Sequence, residues 1–199
     1  MRIGFIGIGV MGFPMAGHLS SNGFDVCVFN RSQKKSLNWV TKFTGSLCNS
    51  PLEIASQCDI IILCVGKDED VKEVICGENG ILKSIKPGTI IIDHTTTSAT
   101  LAKDMNQILQ NKKAYFLDAP ISGGQAGAEE GKLSVMVGGD EQAFTKVKDV
   151  LGAYSKFVKY MGSSGSGQLT KMVNQICIGG LLQALAEGIN FSEKAGLNT

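Results

Sequence analysis

Strong charge of either sign is missing from this chain. Its 199 residues carry 19 Lys and Arg against 18 Asp and Glu, a net charge of +1, and no block of like charges. That removes the field that draws a protein to nucleic acid or to an anionic membrane surface. Unbroken apolar runs are short, and none reaches the roughly 18 residues of a membrane span. There is no Cys-x-x-Cys pair among the six cysteines (Cys27, Cys48, Cys58, Cys64, Cys76, Cys177), and most lie in apolar runs where buried thiols fit better than disulfides. No His, Cys or carboxylate cluster has metal-ligand spacing. The first strand begins at Arg2, which leaves no room for a leader peptide. These absences predict a soluble, cytoplasmic protein of a reducing compartment, with no metal, no nucleic acid and no membrane among its partners.

What is present is a chain with 43% hydrophobic residues, enough for one good core or one domain plus part of another. Short apolar runs alternate with helical patterns. Strands are expected at 3–6, 25–29, 60–65, 89–93, 114–117, 133–137 and 157–161. Helices are expected at 10–22, 32–42, 68–76, 98–111 and 141–151. Such alternation gives a doubly wound α/β fold of the Rossmann type, a mostly parallel sheet with helices on both faces. Gly162 to Gly167 holds three glycines and three serines and reads as a hinge or boundary. One long helical pattern, 168–194, follows, so the organisation expected is a domain at 1–162 and a hinge with a long interdomain helix at 163–199. That helix is apolar on more than one face and needs cover on both sides.

Three motifs carry chemistry. Gly7-x-Gly9-x-x-Gly12 follows a strand and opens a helix, the context in which it cradles a dinucleotide. Gly7 permits the turn, Gly9 admits a pyrophosphate, and Gly12 lets helix and strand approach. At the end of the second strand, where an acid would hold the ribose of NAD, stand Asn30, Arg31 and Ser32. Without a carboxylate there and with a forked donor in Arg31, NADP(H) is favoured over NAD(H); a solvated Arg31 is the plainer alternative.

The second motif is Asp118-Ala119-Pro120-Ile121-Ser122-Gly123-Gly124, a turn able to present amides and a hydroxyl to a carboxylate. Asp118 either orients or caps that loop. The third is Gly165-Ser166-Gly167-Gln168-Leu169-Thr170-Lys171-Met172-Val173-Asn174. Lys171 sits in an early turn, where the helix dipole disfavours a cation and a lowered amine pKa would suit proton exchange. A plain solvated lysine is the competing reading. Asn174 lies among apolar neighbours, as a buried asparagine needing partners would, and Gln175 is a weaker candidate. His94 could be a base or a loop histidine beside the cofactor; His18 reads as structural.

In this order and spacing the motifs resemble the β-hydroxyacid dehydrogenase family, which includes 3-hydroxyisobutyrate dehydrogenases, tartronate semialdehyde reductases and glyoxylate/succinic semialdehyde reductases. The resemblance covers essentially the whole sequence. It implies that Lys171 is the catalytic acid/base and that Ser122, Gly123 and Asn174 hold a small carboxylate substrate, with Gly124 and Gln175 beside them. It implies that Val10, Met11, Asn30, Arg31, Val65 and Thr96 line the cofactor, with Thr95 close by. It further implies a C-terminal all-helical domain that makes a homo-oligomer, and the sequence ends where that domain would begin. A 6-phosphogluconate dehydrogenase-like decarboxylating enzyme is the alternative, set back by Asn174 where that group carries histidine. A non-catalytic NADP-binding module is another. Imine reductases resemble the fold but usually replace the lysine.

Overall fold

Ile60–Leu63 (β4) is an unbroken apolar run, and Ile90–Asp93 (β5) is three isoleucines ending in an aspartate; both are too short for stable helices and rich in β-branched residues. A computed structural model of the protein, describing residues 1–198, places both in the middle of a sheet. Ile60, Ile62, Ile90 and Ile92 enter one core, and Ile61, Leu63 and Ile91 enter a second on the opposite face. The period of two in a strand divides each run between two layers of helix. Each of these side chains is at most 4% exposed, so each contributes roughly 1.5–3 kcal/mol of burial free energy.

The remaining elements are β1 (Arg2–Ile6), α1 (Gly12–Ser21), β2 (Asp25–Phe29), α2 (Gln33–Val40), β3 (Ser46–Leu47), α3 (Pro51–Gln57), α4 (Asp68–Cys76), α5 (Ala99–Gln110), β6 (Tyr115–Asp118), β7 (Ile121–Ser122), α6 (Gly124–Glu129), β8 (Leu133–Gly138), α7 (Glu141–Gly152), β9 (Ser155–Gly162) and α8 (Ser166–Lys194). The strand order is β3-β2-β1-β4-β5-β6-β8-β7, with β9 beside β8. Pairing is parallel from β3 through β6, and antiparallel where β8 meets β6 and β7. Chain order reverses between β1 and β4, which opens a crevice beyond the strand ends there.

The expected α/β class holds, with differences in detail. Residues 43–59, given no element in the sequence reading, hold β3 and α3. The glycine-rich stretch after β6 is not all loop: it contains β7 and α6. Cys27, Cys48 and Cys58 are buried as expected, with the sulfurs of Cys27 and Cys58 3.3 Å apart, whereas Cys76 and Cys177 are exposed.

The long helix α8 has 29 residues, about 44 Å at 1.5 Å per residue. Gly167 and Gln168 are its buried residues, while Ile176, Leu181 and Phe191 are 74%, 69% and 72% exposed. Unbroken runs understated it: averaged over 18 residues it reaches a mean hydropathy of 1.2, enough by length and composition alone to cross a membrane. The Gly162–Gly167 stretch is a pinned turn: Gly165 N donates to the Asp118 carboxylate at 2.7 Å and Ser164 Oγ to the Ala102 carbonyl at 3.1 Å.

Candidate functional site

The crevice at the ends of β1, β2 and β4 is a cleft of about 620 Å³. Gly7, Gly9, Asn30, Arg31, Ser32 and Val65 line it together. Each motif glycine has its own reason. Gly7 has φ +101°, and a Cβ at Gly12 would collide with the Gly7 carbonyl oxygen. A Cβ at Gly9 would meet nothing within 4 Å, so the approach to the first turn of α1 is open. No side chain caps that turn, which leaves its N-terminal end able to receive an anion. These features fit a dinucleotide phosphate. Val10 is 64% exposed and Met11 occupies the N-cap position; neither lines the cleft.

Asn30 does more than leave out an acid. Its Oδ1 accepts from the Ile8 amide at 3.0 Å, and its Nδ2 donates to the Ser32 carbonyl at 3.1 Å. The glycine loop is thereby fastened to the end of β2. Ser32 sits at the N-cap of α2 without a capping hydrogen bond. Arg31 is 93% exposed at its side chain and lies 3.5 Å from Asp70. Lys35, one turn into α2, lines the same wall. The sequence reading passed over it, although Arg31 and Lys35 four residues apart would have signalled a cationic patch at a strand-to-helix turn.

A second group of residues gathers where α8 begins. Burial raises the Asp118 pKa, while backbone amides pull it down. Its carboxylate accepts from Gly165 N at 2.7 Å and from Gln168 N at 3.0 Å. Asp118 was expected to orient or cap its own loop; the structure instead turns its carboxylate to the N-terminus of α8. A Cβ at Gly167 would strike the carbonyl oxygens of Asp118 and Met136, so only glycine lets the helix sit this close. The Gln168 side chain, fully buried, donates to the Thr95 carbonyl at 2.7 Å and accepts from the Thr97 amide at 3.1 Å. The early turn of α8 is therefore bolted to the loop that leaves β5.

Lys171 lies three residues beyond Gln168 on the same face. It is partly buried, and that burial lowers its amine pKa. The expected direction holds. The cause is desolvation, which disfavours the charged form. Ser122 ends β7, partly buried, and Gly123 and Gly124 are exposed at the start of α6.

The burial of Asn174 differs from expectation. Asn174 is not buried: it is partly exposed and donates to Gln175 at 3.0 Å. Its apolar neighbours on α8 are themselves exposed, so they make no interior for it. Thr96 is exposed, but Thr95 is 2% exposed, and its hydroxyl accepts from the Val65 amide at 3.1 Å. Thr95 is thus occupied in holding the cleft wall. Of the expected cofactor residues, Val10, Met11, Gly12, Thr95 and Thr96 lie outside the lining of the 620 Å³ cleft, as do Lys171, Ser122, Gly123, Gly124, Asn174 and Gln175.

His94 is no base at the cleft. It is 2% exposed, with Nδ1 2.6 Å from the Ala119 carbonyl and Nε2 2.8 Å from the Tyr154 hydroxyl. Burial pulls its pKa down to about 4. His18, as expected, is structural and joins α1 to the end of α6 through the Ala128 and Glu129 carbonyls. Among the described residues no His, Cys, Asp or Glu cluster could hold a metal.

Comparison with known proteins agrees with this geometry. Residues 2–162 match the NAD binding domain of 6-phosphogluconate dehydrogenase. A probable 3-hydroxyisobutyrate dehydrogenase-like protein of Arabidopsis thaliana is 40% identical over 197 residues, 99% of this chain and 65% of its own. The solved structure of Mycobacterium tuberculosis 3-hydroxyisobutyrate dehydrogenase with L-serine matches with a TM-score of 0.93 at 30% identity, over 100% of this chain and 67% of that one. The chain belongs to the β-hydroxyacid dehydrogenase family. An uncharacterized oxidoreductase of Shewanella frigidimarina shares 50% identity over 197 residues, 99% of this chain and 68% of its own. The chain thus spans about two thirds of the length of these family members. Within the family fold, the dinucleotide cleft and the lysine-bearing helix occupy one end of the sheet.

Proposed function

We propose that this protein is an NADP(H)-dependent oxidoreductase that interconverts a small β-hydroxy acid and its semialdehyde, with Lys171 as the acid/base. The observation that carries the reading is the pinned first turn of α8, which holds a partly desolvated lysine one helical turn from the loop beside the cleft. Bound NADPH would supply the hydride. Gly9 and the first turn of α1 would receive its pyrophosphate, and Arg31, Ser32 and Lys35 its 2′-phosphate. Ser122, Gly123 and Gly124 would hold the substrate carboxylate, with Asn174 and Gln175 on the facing helix. Lys171 then donates a proton to the carbonyl oxygen during reduction and takes it back during oxidation. A lowered amine pKa favours this exchange near neutrality.

NADPH oxidation with glyoxylate, succinic semialdehyde and methylmalonate semialdehyde tests the reading, alongside NAD reduction with the corresponding alcohols. The expected result is turnover with at least one aldehyde acid, faster with NADPH than with NADH. Tight NADPH binding with no turnover on any of them contradicts an enzyme and favours a binding module. Faster alcohol oxidation with NAD contradicts the cofactor preference.

A further inference from the structure

Gln168 is the one buried polar side chain on a helix whose other fully buried residue is Gly167. Five hydrogen bonds run through its surroundings. Gly165 N and Gln168 N donate to the Asp118 carboxylate at 2.7 and 3.0 Å, Gln168 Nε2 donates to Thr95 O at 2.7 Å, Thr97 N donates to Gln168 Oε1 at 3.1 Å, and Val65 N donates to Thr95 Oγ1 at 3.1 Å. They join the end of β6, the start of α8, the loop after β5 and the wall of the cleft. The central pair needs one donor and one acceptor on a single planar group. Glutamate lacks the donor, lysine lacks the acceptor, and methionine lacks both.

Beyond Gln168, α8 buries no residue. Its register is therefore fixed at one end, and Lys171 is the first ionisable side chain past that fixed point. We propose that Gln168 is a positioning residue that registers Lys171 against the cofactor cleft, an inference that rests on the acid/base role given to Lys171. A satisfied buried amide on a well-packed helix would only add stability. Here it is the polar cross-link between the proton carrier and the loop beside the cleft, so its loss moves the amine as well as weakening the fold.

Gln168→Met, close in volume and without donor or acceptor, tests this. Three readouts are taken on the folded variant: the acetylation rate of Lys171 relative to the exposed Lys194 on the same helix, the NADPH Kd, and kcat for aldehyde-acid reduction. The expected result is a Lys171-to-Lys194 acetylation ratio shifted about threefold or more from wild type, NADPH Kd within about threefold of wild type, and kcat down about ten- to a hundredfold. If Gln168→Met does not fold, Gln168→Glu, which keeps the bond to Thr97, takes its place with the same readouts. An unchanged relative acetylation rate and unchanged kcat overturn the proposal and leave Gln168 a stabilising contact. Failure of the parent reading looks different: Lys171→Ala would then turn over normally while Gln168→Met still shifted the acetylation ratio.

Discussion

Two apolar stretches of this chain meet opposite fates. β4 and β5 bury every isoleucine, divided between two cores. α8 carries isoleucine, leucine and phenylalanine that are 44–74% exposed. The residue types are similar, but the strands have helices packed on both faces, and α8 is fully buried only at Gly167 and Gln168. The cleft is thus built on the self-sufficient part of the molecule, and Lys171 sits at the joint where the other part begins. Rigidity on one side and a single anchored end on the other make that joint the place where geometry is set.

The largest effect should fall at the joint. Lys171→Ala is expected to lower turnover by roughly 10²–10⁴-fold, the range of a lost general acid, with NADPH binding nearly unchanged; steady-state reduction and a binding titration check it. In the sheet, Ile61→Ala should cost about 2–5 kcal/mol in urea unfolding, because its neighbours cannot close the cavity. A result below 1 kcal/mol would break the contrast drawn above.

Acid stability probes the buried end of β5 next. His94 has a folded pKa lowered to about 4, against about 6.5 unfolded. The unfolded chain binds the extra proton between those values, so stability is complete above pH 6.5 and is lost as pH falls toward 4, by up to about 3 kcal/mol. Asp93, buried with its Oδ2 unpartnered and its pKa pushed up to about 7, acts in the opposite direction. Its contribution is complete below about pH 3.8 and is lost as pH rises through 7. Urea midpoints between pH 4.5 and 8 should therefore be flatter at the acid end in His94→Asn and flatter at the neutral end in Asp93→Asn.

At the cleft wall, Arg31→Ala should weaken NADPH about tenfold, or 1.4 kcal/mol, and NADH less than twofold; fluorescence titration decides it. Equal loss for both cofactors would remove Arg31 from the 2′-phosphate. The smallest effect belongs to α8. Leu181→Gln should stay within about 0.5 kcal/mol in the same urea assay, as an exposed position does.

The sheet and the glycine loop were legible because their signals are local: short β-branched runs, and three glycines in register with a strand and a helix. β3 and β7, at two residues each, are too short to show a period. α3 did announce itself, through Ser50-Pro51-Leu52-Glu53, where the Ser50 hydroxyl accepts from Glu53 N at 3.1 Å and the Glu53 carboxylate from Asn49 N at 2.7 Å. That near-capping-box pattern went unread. The site was legible in its residue types and not in its long-range ties. Asn30 holding Ile8, and Gln168 holding Thr95 and Thr97, span 22 to 73 positions, beyond any local pattern. The burial of Asn174 is not legible in its apolar neighbours, because on α8 these are themselves exposed.

The most direct test is a crystal structure of the protein with NADPH and a small β-hydroxy acid bound. Lys171 Nζ is expected within hydrogen-bond reach, about 2.6–3.2 Å, of the carbinol oxygen, with the Gln168 amide still spanning Thr95 and Thr97. An amine turned to solvent, or a hydroxy acid seated away from the start of α8, would contradict it.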